Sequence, residues 1–293
     1  MAQTILPASR GRTATRSRTP VERASRAERP KTAAPALWRE LLLLVFSYCA
    51  YSLTRLVLDP GSTTSAFAHA DQILDFERML GIDVELGLNQ ALLEAPWLAR
   101  AANVFYATAH FAVTLGVMVW LYRHRPRYYR WFRTSLIVAT AVALIGFWAY
   151  PLAPPRFMPG DGFVDPVTAL QTLGLYSAPG SGALTNQYAA MPSMHAGWAL
   201  WCGFILVRLS TQRWAKVLGM LYPATTVLVI LATANHYVLD VVAGIALIVG
   251  ALTGSWWFYR RSLVSKKESA LLRESDLPVR GPAFSGDVRQ FGV

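Results

Sequence analysis

Charge is what this sequence lacks most: Asp, Glu, Lys and Arg make up only 15% of its 293 residues, against 54% hydrophobic residues, and the mean hydropathy is +0.31. A soluble domain of this length cannot hide so much apolar surface, least of all when its polar residues gather at the two ends, so a soluble fold is excluded and an integral membrane protein implied. Cysteine is equally scarce. Cys49 and Cys202 both fall inside apolar runs, where a thiol behaves as a small hydrophobe, and a disulfide framework is not indicated, which leaves the redox compartment open. There is no internal repeat. Acidic residues are outnumbered enough to leave a formal charge of +11. In a soluble protein that would suggest nucleic acid, but here the bases sit in the tails and between apolar runs, where membrane orientation accounts for them, and no nucleic-acid partner is expected.

What is present is a series of apolar runs between polar ends. Residues 1–36, rich in Arg, Ser, Thr, Ala and Pro without hydrophobic period, read as a disordered basic tail, and 261–293 as a second, largely disordered tail. The basic stretch is too long for a signal-peptide n-region, so the first run is expected to stay as an anchor. The domain between, 37–260, carries six runs near 38–58, 103–122, 134–151, 191–209, 215–234 and 237–258, each close to the ~20 residues that a spanning helix needs. The expected fold class is all-α, a six-helix membrane bundle. Between the first two runs, Val84, Leu88, Ala91, Leu92 and Ala95 recur at helical spacing, with a weaker signal over Ala66–Leu80. Either an amphipathic helix in the outer interface or a packed extracellular cap fits that pattern.

Lys and Arg collect on one side. Arg10 to Arg39, Arg123 to Arg133, Arg208 to Lys216 and Arg260 to Lys267 alternate with connections lean in base, such as 59–102. Cytoplasmic loops carry that excess, so both termini are expected in the cytoplasm, in the plasma membrane, with the mouths of the fourth and sixth runs outside.

Those mouths carry the ionisable residues. His236 and Asp240 are four apart, so on a helix the carboxylate can accept from one imidazole nitrogen and leave the other as a lone-pair donor. A structural His/Asp pair is the plainer alternative. At the fourth run, Pro192 suits a first helical turn, and the helix-end N–H groups with the Ser193 hydroxyl form an anion site, His195 lying just inside it. A capped helix with an interfacial histidine reads the same way. In Tyr150–Phe157, YPLAPPRF, prolines stiffen a loop that presents Arg156, whose guanidinium suits phosphate bidentately unless it merely snorkels. Arg55 and His110 are further candidates. An imidazole inside the second run is costly unless it is a site member or an interhelical hydrogen-bond partner, and Tyr106 lies one turn from it.

With these residues together, the chain resembles the type 2 phosphatidic acid phosphatase superfamily. Pro192-Ser193-Met194-His195 is similar to that family's Pro-Ser-Gly-His motif, and His236 to Asp240 to the His-x3-Asp that ends its third motif. YPLAPPRF, the Asn103-x2-Tyr106-x3-His110 run and HYVLDVVAG resemble the branch containing inositol phosphorylceramide synthases. The resemblance covers about residues 40–258. The family's Lys-x6-Arg-Pro keeps only Arg156, with Ala149 at the Lys position and Phe157 after the arginine, and its Ser-Arg is replaced by Val229 and Ile230. Either the site takes a less charged group such as a phosphodiester, or Arg55 and His110 substitute.

The resemblance implies transfer of a lipid phosphate through a phosphohistidine: His236 as nucleophile oriented by Asp240, His195 as acid then base, Arg156 and Ser193 holding the oxygens. The acceptor is water, or an alcohol such as inositol. Neither cofactor nor metal is expected, because Arg156 opposes a cation beside the histidines. A transporter or lipid flippase with a polar outer vestibule is the alternative, since intramembrane His and Arg also mark translocation paths.

Overall fold

The computed structural model describes residues 36–40, 42, 43, 45, 63–171 and 187–275, with the backbone alone from 261 onward. The basic tail, most of the first run and Arg55 lie outside the described residues. The protein is mostly helical, with no strand among the described residues, as the all-α reading requires. In chain order the helices are α1 (Thr63–Leu80), α2 (Glu85–Leu93), α3 (Pro96–His124), α4 (Pro126–Ala149), α5 (Met194–Leu209), α6 (Arg213–Ala232) and α7 (Val238–Ser275). Four of them, α3, α4, α6 and α7 up to Arg260, are long and apolar enough to cross a membrane, and α5 is a shorter apolar helix of 16 residues.

Prolines punctuate the bundle as physical chemistry expects. Pro96 and Pro126 stand at the first helical position, where a missing N–H costs nothing, and Arg123 and His124 place positive charge at the C-terminus of α3. The long outward faces carry Phe111, Leu115, Val138, Val142, Ile145, Leu228 and Val249, all exposed. That ring of apolar surface is stable only in lipid, and the protein is a membrane protein.

Inside the bundle, fully buried Trp201 of α5 packs edge-on to Phe132 of α4, and its Nε1–H donates to the Phe132 carbonyl at 3.2 Å and to Ser135 Oγ at 3.1 Å. Glu40, from the helical residues near 37–45, accepts from Tyr129 Oη at 3.1 Å and pairs with Arg133, tying the start of the domain to α4. Helix α5 seats closely on α6. A Cβ on Gly203 would lie 2.3 Å from the Gly219 carbonyl oxygen, which explains glycine at that crossing.

Several boundaries differ from the hydropathy reading. The second and third runs start earlier, at Pro96 and Pro126, because polar and basic residues extend the helices beyond the apolar stretch. The fourth starts later, at Met194, with Ser193 as N-cap and Pro192 ahead of the cap, outside the first turn. Helix α7 continues to Ser275, past the apolar run's end near 258.

The segment between the first two runs is a packed cap whose buried face mixes apolar Leu88 and Leu92 with polar Glu85 and Asn89. On α2 the buried residues are Glu85, Asn89 and Leu92, whereas Val84 and Ala91 are exposed. Asn89 donates to the Val164 carbonyl and, at 3.1 Å, to the Ala232 carbonyl at the end of α6, and accepts from Val164 N–H at 3.0 Å. A polar residue is buried comfortably once its hydrogen bonds are met, and those partners lie 75 and 143 residues away.

Candidate active site

Three segments converge: the loop after α4, the N-terminus of α5 and the turn between α6 and α7. The loop is held from above. Ala153 N–H donates to the Ala66 carbonyl of α1 at 3.1 Å, His69 Nδ1–H donates to the Pro151 carbonyl at 2.8 Å, and the His69 ring stacks on Tyr150 at 4.0 Å. Arg78 of α1 pairs with Asp161 at 2.9 Å on the far side of the same loop. Within it, Pro155–Phe157 form one 3₁₀ turn that turns Arg156 toward the α6–α7 turn. Its N–H donates to the Ala234 carbonyl at 2.8 Å, and its guanidinium donates to Asn235 Oδ1. Burial, and then the Asp240 charge, push the Tyr150 hydroxyl above its ordinary pKa.

The turn joining α6 and α7 is tight and buried. Ala234 is fully buried with a φ of 51°, a left-handed conformation that costs an alanine roughly 1–2 kcal/mol and that the surrounding bonds must hold. The Ile230 carbonyl accepts from the N–H groups of both Asn235 and His236, and Asn235 Nδ2 donates to Thr233 Oγ1 at 2.7 Å. His236 is 4% exposed and Asp240 is fully buried. His236 Nδ1 lies 3.4 Å from Asp240 Oδ2, which also accepts from Tyr237 N–H at 3.0 Å. A carboxylate can only accept here, so Nδ1 carries the proton and Nε2 keeps its lone pair. Burial raises the pKa of the Tyr237 hydroxyl beside them.

Ser193 Oγ accepts from Ala196 N–H at 3.4 Å, capping α5, while Ser193 N–H donates to the Asp240 carbonyl at 2.9 Å. This second bond fastens the α5 N-terminus directly to α7. Gly244 lets the two helices come that close: a Cβ there would lie 2.1 Å from the Ser193 carbonyl oxygen. His195, one residue inside α5, is stacked on Tyr106 with ring centroids 4.3 Å apart and 20° between planes. Its ring lies 5.6 Å from that of His236, and its Nε2 is buried with no hydrogen-bond partner.

His110 of α3 completes the line, with its ring 4.3 Å from His195. Its Nδ1 is 3.1 Å from the Tyr106 carbonyl, so that nitrogen donates and Nε2 is the free one. Tyr106 faces His195, and Thr114 Oγ1 lies 3.5 Å from Cys202 Sγ, so residue numbers rise together and α3 and α5 run parallel. Tyr106 is ten residues past the start of α3 and His195 one past the start of α5, so α5 begins roughly 14 Å deeper along the bundle. The histidines are recessed below the N-terminal end of α3.

Arg156, Ser193, His195, His236 and Asp240 are thus brought together, with His110 beside them. Arg55 lies outside the described residues. Sequence reading missed Asn235, a partner of Arg156, and singled out Tyr106, as packing or function, without its stacking partner His195. Asn235 adjoins His236, which was a usable signal, but nothing in its spacing points to an arginine 79 residues earlier. Among the described residues no group of three or more His, Cys, Asp or Glu is arranged to hold a metal ion.

The arrangement offers a lone-pair nitrogen backed by a carboxylate, a second imidazole facing it, a guanidinium and a helix N-terminus. Together these suit attack on a tetrahedral oxyanion. A family model described as the PAP2 superfamily matches residues 71–254, which contain every one of these described groups. No curated protein and no solved structure matches the chain.

Proposed function

The chain belongs to the PAP2 superfamily, and from that premise we propose that it transfers a phosphoryl or substituted-phosphoryl group from a membrane lipid through a phosphohistidine at His236. Membership itself supports phosphatase-type activity on a lipid phosphate. The observation that carries the finer reading is the His236–Asp240 pair, buried, with Nδ1 engaged and Nε2 left free, 5.6 Å ring to ring from His195.

In the first step His236 Nε2 attacks phosphorus, the bond from phosphorus to the lipid oxygen breaks, and protonated His195 gives its proton to the departing alcohol. Arg156, steadied by Asn235, and the N–H groups at the start of α5 hold the non-reacting oxygens. In the second step neutral His195 takes a proton from the acceptor, whose oxygen attacks phosphorus as the phosphorus–nitrogen bond breaks, and free His236 returns. The acceptor is water or an alcohol such as inositol. Counting Lys and Arg between the runs supports an extracytoplasmic site, with both termini in the cytoplasm. Neutral residues at 149, 229 and 230 support a donor of low charge, such as a phosphodiester.

The test is turnover by the purified full chain in detergent, with phosphatidic acid, isoprenyl diphosphate and phosphatidylinositol supplied in turn, with and without inositol. Phosphate released without an alcohol identifies a phosphatase, and a new phospholipid formed only with inositol identifies a transferase. Acid-labile, base-stable labelling from a radioactive donor should appear in the parent and vanish in His236→Ala. Parental turnover by His236→Ala sinks the proposal.

A further inference from the structure

Helix α7 begins at Val238, two residues after the proposed nucleophile, and the first N–H groups of any helix need acceptors from outside it. An N-cap side chain usually supplies one. Here, beyond Asp240's own bond to Tyr237 N–H, the acceptors come from two other helices. Val238 N–H donates to Glu85 Oε1 of α2 at 2.6 Å, and Leu239 N–H donates to Glu77 Oε1 of α1 at 2.7 Å, across 153 and 162 residues. Both glutamates are fully buried. Asp240 Oδ2 carries both His236 Nδ1 and Tyr237 N–H, so wherever the cap sets the first turn of α7, it sets the carboxylate and imidazole too.

We propose that Glu77 and Glu85 are positioning residues for the His236–Asp240 pair, a two-carboxyl cap that shares one proton and fixes the N-terminus of α7 from outside the helix. Glu77 Oε2 and Glu85 Oε2 are both buried without a donor, and the two carboxyl groups are within hydrogen-bonding reach of each other. A single proton between them satisfies both oxygens and avoids two adjacent buried charges. The one remaining negative charge lies at the positive end of a long helix, where it is favoured. Glu77 holds the proton: burial, then Glu85 and Asp240, push its carboxyl up to about 9 against the opposing pull of the Leu239 N–H. The titratable groups facing it are Glu85 on α2 and Tyr237 and Asp240 at the α7 start, with His236 beyond Asp240, while Asp161 on the loop is engaged by Arg78.

The catalytic half of this inference rests on the phosphohistidine reading, and the cap itself does not, so two readouts are taken on the full chain in detergent. One is amide hydrogen exchange at Val238 and Leu239, and the other is turnover of the lipid on which the parent is active. Glu77→Ala and Glu85→Ala should each lose about tenfold or more in protection and in kcat, with KM within about twofold. Glu77→Gln and Glu85→Gln keep an acceptor and should stay within about threefold of the parent in both readouts. In the parent, protection at the two amides and kcat should fall together above about pH 9, as the shared proton is lost. Glu77→Gln has no such proton and should lack that alkaline limb.

Alanine variants with parental protection overturn the cap, and so does an alkaline limb unchanged in Glu77→Gln. If the alanine variants do not fold, the glutamine variants and the parent's own pH dependence decide it. An inactive parent whose protection still falls in the alanine variants would remove the catalytic reading and leave the cap standing.

Discussion

Arg156 and Asn235 show how a single neutral residue can decide what a charged one does. Among the Lys and two Arg positions of the motifs that the sequence resembles, Arg156 alone keeps its charge, and the Asn235 amide oxygen accepts from its guanidinium without cancelling that charge. Asn235 is itself gripped by Thr233, so the three form a short chain from the α6 end to the Arg156 guanidinium. Asn235→Ala should lower kcat/KM by roughly 10- to 100-fold, the worth of a charge-assisted bond, with the protein still folded by its melting curve. Asn235→Asp should weaken substrate binding further, because an ion pair would neutralise the guanidinium. Steady-state kinetics of the two variants separates positioning from charge.

At the scale of elements, the α5–α7 contact is the joint on which the site depends. Ser193 N–H meets the Asp240 carbonyl because Gly244 leaves room for it. Gly244→Ala must push the helices apart, an overpacking cost of about 1–3 kcal/mol, and turnover should fall far more than melting temperature does. Gly250, on the same helix with nothing near its missing Cβ, is the control: Gly250→Ala should leave activity unchanged and stability within ~1 kcal/mol. Helix α2 teaches a different lesson. Its apolar spacing found Leu88 and Leu92 on the packed side but not Glu85 and Asn89, which look like surface residues until their partners on α7, α6 and the 163–165 loop are known. Periodicity reports burial only where polar residues have no partners waiting for them.

For the whole molecule, a buried acid that keeps its proton makes folding sensitive to alkali. The Glu77 carboxyl titrates near 4.5 in the unfolded chain and near 9 in the folded one, so between those values the folded protein holds a proton that the unfolded chain has released. Stability should therefore decline as pH rises from about 4.5 to about 9, by at most ~1.4 kcal/mol per pH unit. Glu77→Gln should flatten that slope, as read by thermal unfolding in detergent at a series of pH values.

The sequence alone determined that the chain lives in a membrane, because paucity of charge and runs near twenty apolar residues leave a helical bundle no other solvent. It also paired His236 with Asp240 by their four-residue spacing, although His236 itself stands in the turn before α7 and reaches Asp240 from there, and it marked Ser193 and His195 at a helix start. Only the tertiary structure decided that α5 starts deep enough for His195 to meet His110, that Asn235 holds Arg156, and that two distant glutamates cap α7. Those contacts join residues tens to more than 150 positions apart. Local spacing carries no information about them. They exist because buried polar groups must find partners, and the packed fold determines which ones are within reach.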